Sequence, residues 1–190
     1  TGANAFTLTG TGGIDTITGG AGADIITGGG GNDIITGGAL ADVINGGGGN
    51  DAFKYVATAD LVAGNAFVDT ITGGTGTDTI QINNVGGSAF TIAATDLWAR
   101  VTGVQSITSA ASDTLVSITL EDGAYTTGLR TVDLSGITGA VNSNVISAAA
   151  ETGANAFTLT GTGGIDTITG GAGADIITGG GGNDIITGGA

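Results

Sequence analysis

Residues 10–54 read GTGGIDTIT GGAGADIIT GGGGNDIIT GGALADVIN GGGGNDAFK, five consecutive nonapeptides. Each approximates Gly-Gly-x-Gly-x-Asp-x-U-x, where U is a large apolar residue. Asp15, Asp24, Asp33, Asp42 and Asp51 fall nine apart, and Ile17, Ile26, Ile35, Ile44 and Phe53 follow two behind. The phase runs on through Asp60, Asp69 and Asp78 with Val62, Ile71 and Ile80, and GGTGTDTIQ (Gly73 to Gln81) is again a full match. A flexible glycine-rich linker has no reason to hold an aspartate and an aliphatic residue in fixed phase over eight repeats.

A nonapeptide of this kind is half a turn of a flattened spiral. Six residues make a loop and three make a short strand. Glycines let the loop take positive φ and bring carbonyl oxygens together, and the aspartate closes it over a cation. Two nonapeptides complete a coil, so loops eighteen residues apart stack on one edge. Stacked carboxylates and carbonyls supply the six to eight hard oxygens that calcium takes at about 2.3–2.6 Å. The pattern predicts an all-β, right-handed parallel β-roll or β-solenoid. On one edge Asp15 stacks with Asp33, Asp33 with Asp51, and Asp51 with Asp69. On the other Asp24 stacks with Asp42, Asp42 with Asp60, and Asp60 with Asp78. One inward apolar residue in nine is a thin core, so calcium binding and folding become one event. Two departures matter. Leu40 replaces a fourth-position glycine and predicts distortion of the Asp24–Asp42 site. The Asp60 loop (YVATADLVA) lacks glycine and the Asp69 loop keeps only Gly64, which weakens the sites that draw on them.

On these residues the chain resembles the RTX (repeats-in-toxin) family of secreted bacterial proteins, over residues 10–81 and 161–190. The expected metal ligands are Asp15, Asp24, Asp33, Asp42, Asp51, Asp60, Asp69, Asp78, Asp166, Asp175 and Asp184. Backbone carbonyls of the loops, including Gly20, Gly22, Gly29, Gly31, Gly47 and Gly49, complete the sites. The expected cofactor is Ca2+, several ions per chain.

The 190 residues include 41 glycines and no Pro, Cys, Met or His; 17 acidic against 3 basic residues give a net charge of −14. That balance argues against nucleic acid and anionic membrane surfaces as partners. Acidity with few aromatics accompanies disorder, but here the apolar content is 40% and periodic. Without His or Cys there is no ordinary nucleophile–base pair. The aspartates are committed to cations, and Glu121–Asp122 reads as a turn. The glycine loops lack the Gly-Lys-Ser/Thr of a phosphate loop. No catalytic residue is expected. Trp98, in TDLWAR, reads as a core or coil-capping residue rather than a sugar-stacking one. Lys54, Arg100 and Arg130 read as solvated or paired with local acids. No run of about 18 apolar residues spans a bilayer, and no N-terminal signal pattern is present.

Two longer repeats frame the nonapeptides. Residues 1–9 (TGANAFTLT) read as a lead-in coil and 10–81 as the calcium roll. Residues 82–151 lose the nonapeptides; TGVQSITSA (Thr102), TGLRTVDLS (Thr127) and TGANAFTLT (Thr152) start 25 apart there. That register aligns Val104 with Leu129 and Ala154, and Ile107 with Val132 and Phe157. Further β-like runs lie near Leu115 and Val141. Alternating β-branched and polar residues argue for strands. The segment thus reads as wider, calcium-free coils spliced on from about Thr77; a small separate β-domain is the alternative. Residues 152–190 repeat 1–39 at all 39 positions, which makes the unit 151 residues. The chain lacks an initiator Met, begins and ends inside a repeat, and reads as a window on a tandem array.

The leading functional reading is a structural repeat of a large surface protein: a fibre, biofilm-matrix component, adhesin stalk or S-layer-like protein. RTX resemblance implies type I secretion and folding on extracellular calcium. The alternatives are a carbohydrate- or ice-binding solenoid and an appendage of a secreted enzyme. Ice binding wants a regular array of Thr and Asn, whereas the loops read Ala23, Asn32, Ala41, Asn50. Expected partners are other copies of the repeat, with surface or matrix polysaccharide as a further candidate. The residue before U faces outward, since side chains alternate along a strand. One face then carries Thr16, Ile34, Ala52 and Thr70; the other carries Ile25, Val43, Leu61 and Thr79. Ile25, Val43 and Leu61 form an apolar stripe and the expected self-contact; the alternative is that residues 82–151 fold back over it. Removing calcium with a chelator is expected to abolish the β-type circular dichroism spectrum, and a spectrum unchanged by exhaustive chelation would exclude calcium as the organising ligand.

Overall fold

The computed structural model describes residues 3–63, 66–83, 89–93, 98–110, 115–138 and 143–189. The chain winds as a parallel β-solenoid. One eight-stranded parallel sheet runs almost its whole length: Thr16–Gly20, Ile34–Gly38, Ala52–Tyr55, Thr79–Ile82, Ser106–Ser109, Thr131–Asp133, Thr158–Thr160 and Ile176–Thr178. Opposite its first half lies a five-stranded sheet of Thr7–Thr9, Ile25–Gly30, Val43–Gly48, Thr70–Thr75 and Val101–Thr102. Opposite its second half lies another five-stranded sheet, from Phe90–Ile92 through Val116–Glu121, Ser143–Ala150 and Ile165–Thr169 to Ile185–Thr187. We call these the through-sheet and the first and second facing sheets.

The strands form where the U residues fall. Ile26, Ile35, Ile44, Phe53, Ile71 and Ile80 are buried between the sheets, while Ile25 and Val43, one residue earlier, are half exposed. Eighteen-residue stacking is explicit in the register: Thr16 pairs with Ile34, Ile34 with Ala52, and Ile25 with Val43. The next step is 27 residues on both sheets, Val43 to Thr70 and Ala52 to Thr79. One nonapeptide has left the spiral. Residues 58–61 form a short helix, and Val62–Ala63 pairs antiparallel with Ala66–Phe67.

That excursion corrects three expectations. Asp60 sits in the helical turn, off the aspartate stack. Asp69 stacks beyond Asp42, and Asp78 beyond Asp51. Leu61, expected on the outward stripe, is fully buried, and Thr70 takes the place next to Val43. The reason is packing. Leu61 and Val62 are apolar and lie in a stretch without glycine, so they close on the core as a helical turn instead of arching into a loop. Thr79 accordingly faces outward on the through-sheet, beside Ala52.

The excursion also begins the second facing sheet. The Thr58 hydroxyl donates to the Ala89 carbonyl (3.2 Å) and accepts the Thr91 N–H (3.1 Å), which closes the open edge of Phe90–Ile92. Phe67 packs on Trp98, with ring centroids 4.7 Å apart, and both are buried. Residues 82–151 add their strands to the same through-sheet, with Ile80 against Ile107, Ile107 against Val132, and Val132 against Leu159. The third step is 27 residues, not 25. Leu159 therefore stacks on Val132 where the 25-residue period places Phe157, and Ala154 is exposed. Gly64 and Val141 lie outside the described residues. Arg130 lies over the Tyr125 ring (3.4 Å) and donates to the Tyr125 and Leu129 carbonyls; Arg100 donates to the Val68 carbonyl. Both arginines are exposed, in line with the solvated reading, and reach main-chain oxygens. Asp122 opens a short helix, Asp122–Thr126, at the position read as a turn.

The two identical 39-residue segments occupy opposite sides of the spiral. Thr7–Thr9 lies in the first facing sheet, but its copy Thr158–Thr160 lies in the through-sheet; Thr16–Gly20 lies in the through-sheet, but the matching Ile165–Thr169 lies in the second facing sheet. One 151-residue unit therefore shifts the pattern by half a coil.

Leu40 shows how strictly the loop shape is kept. Its φ is +74°, the described non-glycine residue in the left-handed region, and its side chain points to solvent. The distortion expected at this loop is absent: the Asp24 N–H still donates to Asp42 Oδ1 at 2.7 Å. A left-handed L-residue costs about 1–2 kcal/mol, and glycine's extra chain entropy offsets about 0.5–1. Leu40→Gly is expected to raise the stability of the calcium-loaded protein by about 0.5–1 kcal/mol in a denaturant titration.

Candidate metal centre

Each strand pair hands its aspartate to the next coil. Asp33 Oδ1 accepts the Asp15 N–H (2.9 Å), Asp51 Oδ1 that of Asp33 (2.8 Å), and Asp78 Oδ1 that of Asp51 (2.9 Å). On the other edge, Asp24 Oδ1 accepts the Phe6 N–H, Asp42 Oδ1 that of Asp24, and Asp69 Oδ1 that of Asp42, at 2.7–2.8 Å. The second copy repeats the arrangement: Asp184 accepts from Asp166, and Asp175 from Phe157. Asparagines reinforce one edge, where Asn32 Oδ1 accepts the Asn50 N–H and Asn50 Oδ1 the Thr77 N–H.

The second carboxylate oxygens are the telling ones. Oδ2 of Asp24, Asp33, Asp42, Asp51 and Asp78 is buried with no hydrogen-bond partner. A buried, unpaired anionic oxygen is among the costliest groups a fold can hold. Each faces the glycine five residues earlier, and at Asp24, Asp33, Asp51 and Asp78 a carbonyl of the next coil opens onto the same spot. A Cβ on Gly19 would strike both Asp24 Oδ2 and the Gly37 carbonyl. Gly28 stands likewise to Asp33 and Gly46, Gly46 to Asp51 and Gly73, and Gly73 to Asp78 and Gly103. Only glycine leaves this cradle open. Among the described residues no three acidic side chains converge, so a cation here draws on at most two carboxylates together with main-chain oxygens. Hard oxygens in this arrangement fit calcium.

This geometry refines the carbonyl donors. Gly20, Gly29, Gly31, Gly47 and Gly49 turn their carbonyls toward the glycines of the next coil, Gly38, Gly47, Gly49, Gly74 and Gly76, which need positive φ or no side chain to accept the approach. Gly22 instead crowds the Asn4 carbonyl. The oxygens beside the orphaned carboxylates come from Gly37, Gly46, Gly73 and Gly103, the first three being first-position glycines. The sequence signal of those three is a glycine five residues before a stacked aspartate.

Not every aspartate is orphaned. Asp15 Oδ2 accepts the Thr11 N–H (2.6 Å) and hydroxyl (2.8 Å), and Asp166 Oδ2 accepts the same two groups of Thr162. Asp175 Oδ2 accepts the Gly171 N–H (2.8 Å). At Asp69 the Tyr55 hydroxyl donates to Oδ2 at 2.7 Å. Once the nine-residue excursion is set aside, Tyr55 stands five residues ahead of Asp69, where the other loops carry glycine. Its ring fills the cradle. Burial pushes the Tyr55 phenol well above its usual range.

The family's RTX calcium-binding nonapeptide repeat matches four times, over residues 9–43, 29–53, 56–81 and 160–190, more than half of the chain. The chain belongs to the RTX calcium-binding repeat family. Its nonapeptides are calcium-binding repeats, several to the array. Comparison with curated proteins and with solved structures gave no match. Among the described residues no helix of this RTX chain is long and apolar enough to cross a membrane.

Burial raises the carboxyls of Asp42, Asp51 and Asp78, and lifts Asp69 to about 7 despite hydrogen bonds from the Asp42 N–H and the Tyr55 hydroxyl. Without metal, the folded chain therefore holds protons that the unfolded chain releases near pH 4. Stability is then largest below about pH 4 and falls as pH rises toward 7. With calcium the sign reverses, because protons compete for the same oxygens. Chelated protein is expected to gain β-structure between pH 7.5 and pH 5, while the calcium concentration needed for folding rises over the same interval. Circular dichroism at fixed pH checks both.

Proposed function

We propose that this chain is a calcium-dependent structural tandem repeat of a large secreted bacterial surface protein, a fibre, matrix, adhesin-stalk or S-layer-like rod, with no catalytic role of its own. One observation carries the reading. Two identical 39-residue segments, 151 residues apart, are joined by an unbroken eight-stranded sheet. A sheet of that kind adds units end to end without a hinge, and length is then its product. A pocket among the described residues, lined by Glu151, Thr169 and Gly189, holds no nucleophile–base pair.

In this proposal calcium sits on the stacked aspartates, with Asp24, Asp33, Asp42, Asp51 and Asp78 as the principal ligands. Asp15, Asp166, Asp175 and Asp184 are ladder ends, and Asp60 and Asp69 take no cation. The chain crosses the cell envelope unfolded by type I secretion, where calcium is scarce, and folds outside, where it is abundant. Partners are further copies of the repeat, along the rod and side by side. The side-by-side contact uses the outward residues Ile25 and Val43, which are 53% and 51% exposed and adjacent across the first facing sheet. Two aliphatics make a smaller patch than the three read from the sequence. The half-coil shift per unit supplies its counterpart: Ile176, the copy of Ile25, is exposed on the through-sheet at 65%. Rods with apolar patches on opposite sides pack into sheets.

Ile25→Lys combined with Val43→Lys is expected to leave calcium-induced folding intact and abolish lateral assembly, scored by sedimentation and electron microscopy. Normal assembly of the double variant removes the patch as the contact; a strictly monomeric parent protein at high calcium removes the assembly reading altogether.

A further inference from the structure

The aspartate stacks end at particular residues, and those residues share a chemistry. On the first edge the stack runs Asp15, Asp33, Asp51, Asp78 and then meets Gln105 in the first wide coil. The Asp78 N–H donates to Gln105 Oε1 at 2.6 Å, as each earlier N–H donates to an aspartate Oδ1. Gln105 Nε2 donates to the Gly103 carbonyl at 3.0 Å, and that carbonyl borders the cradle of Asp78. In the second facing sheet, Asn144 is in register with Asp166. Asn144 Oδ1 accepts the Val116 N–H (2.8 Å), and its Nδ2 donates to Asp166 Oδ1 (3.1 Å) and Thr162 Oγ1 (3.2 Å). Asn144 is 1% exposed. The backbone N–H at each place requires an oxygen opposite it, so the amide orientation is fixed and the NH2 group occupies the position of the orphaned Oδ2.

We propose that Gln105 and Asn144 are built-in substitutes for calcium: amides that continue the hydrogen-bonded stack for one more coil while replacing an anionic oxygen and its cation with a neutral donor. The two residues close the ladder at the borders of the wide coils, one after Asp78 and one before Asp166, and so set how many calcium ions a unit takes. An aspartate at either border would leave another buried oxygen with no partner. An apolar residue would leave the Asp78 or Val116 N–H unpaired. An amide alone satisfies both sides without metal. Tyr55 reaches the same end at Asp69 with a phenol.

The inference rests on calcium occupying the stacked aspartates, and the parent chain tests that first. Calcium titration by calorimetry or native mass spectrometry counts its ions, and a count of zero defeats the metal reading itself. Against a loaded parent, Asn144→Asp and Gln105→Glu each change one NH2 to one oxygen at constant shape. Each variant is expected to bind one calcium more than the parent. Each is also expected to unfold more readily than the parent in chelator and to recover at saturating calcium. An unchanged count, with a loss of stability that calcium does not recover, overturns the proposal. So does failure of both variants to fold at saturating calcium, since the added cation is then not accepted where the amide stood.

Discussion

Five carboxylate oxygens buried along the two edges of the spiral without hydrogen-bond partners are the constraint on which this fold depends. Each aspartate spends one oxygen on the backbone of the preceding coil and turns the other into a cradle that a glycine keeps open. The first oxygen fixes the eighteen-residue stacking. The second makes that stacking untenable unless a cation, a proton or a built-in donor answers the charge. Folding is thereby tied to the solution outside the chain. An apolar core that adds one large residue per strand does not override it.

Glycine supplies the other half of the arrangement. Coils approach so closely that a Cβ on Gly38, Gly47 or Gly74 would collide with the carbonyl below, and these residues hold φ between 107° and 113°. Leu40 is tolerated at a fourth position because its side chain points to solvent, not toward the coil beneath. Position within the loop decides which glycines are replaceable; overall glycine content does not.

The excursion at residues 58–67 converts one spiral into another. By leaving the coil it moves Asp69 and Asp78 onto edges that strict nine-residue counting denies them. It also places Tyr55 in a glycine's position and Thr58 over the first strand of the second facing sheet. A segment that looks like decay of the repeat is thus the piece that ends one ladder, begins a new sheet and, with the wide coils, turns the next unit by half a coil.

The sequence alone determined the repeating unit, its β-solenoid class, the calcium chemistry and the inward apolar row, because each follows from residues a few positions apart. The pairs Asp15–Asp33, Asp33–Asp51 and Asp24–Asp42 were legible for the same reason: nothing interrupts the period between them. Tertiary structure decided the rest. Whether Asp60 joined the stack depended on Leu61 and Val62 finding the core, which is a contact, not a spacing. Whether the second oxygen of Asp69 was left unpaired depended on a hydroxyl fourteen residues away. Gln105 and Asn144 carried no visible signal, since an amide joins a carboxylate ladder only when a coil of 27 or 22 residues brings it into register, and those lengths are set by how the wide coils pack.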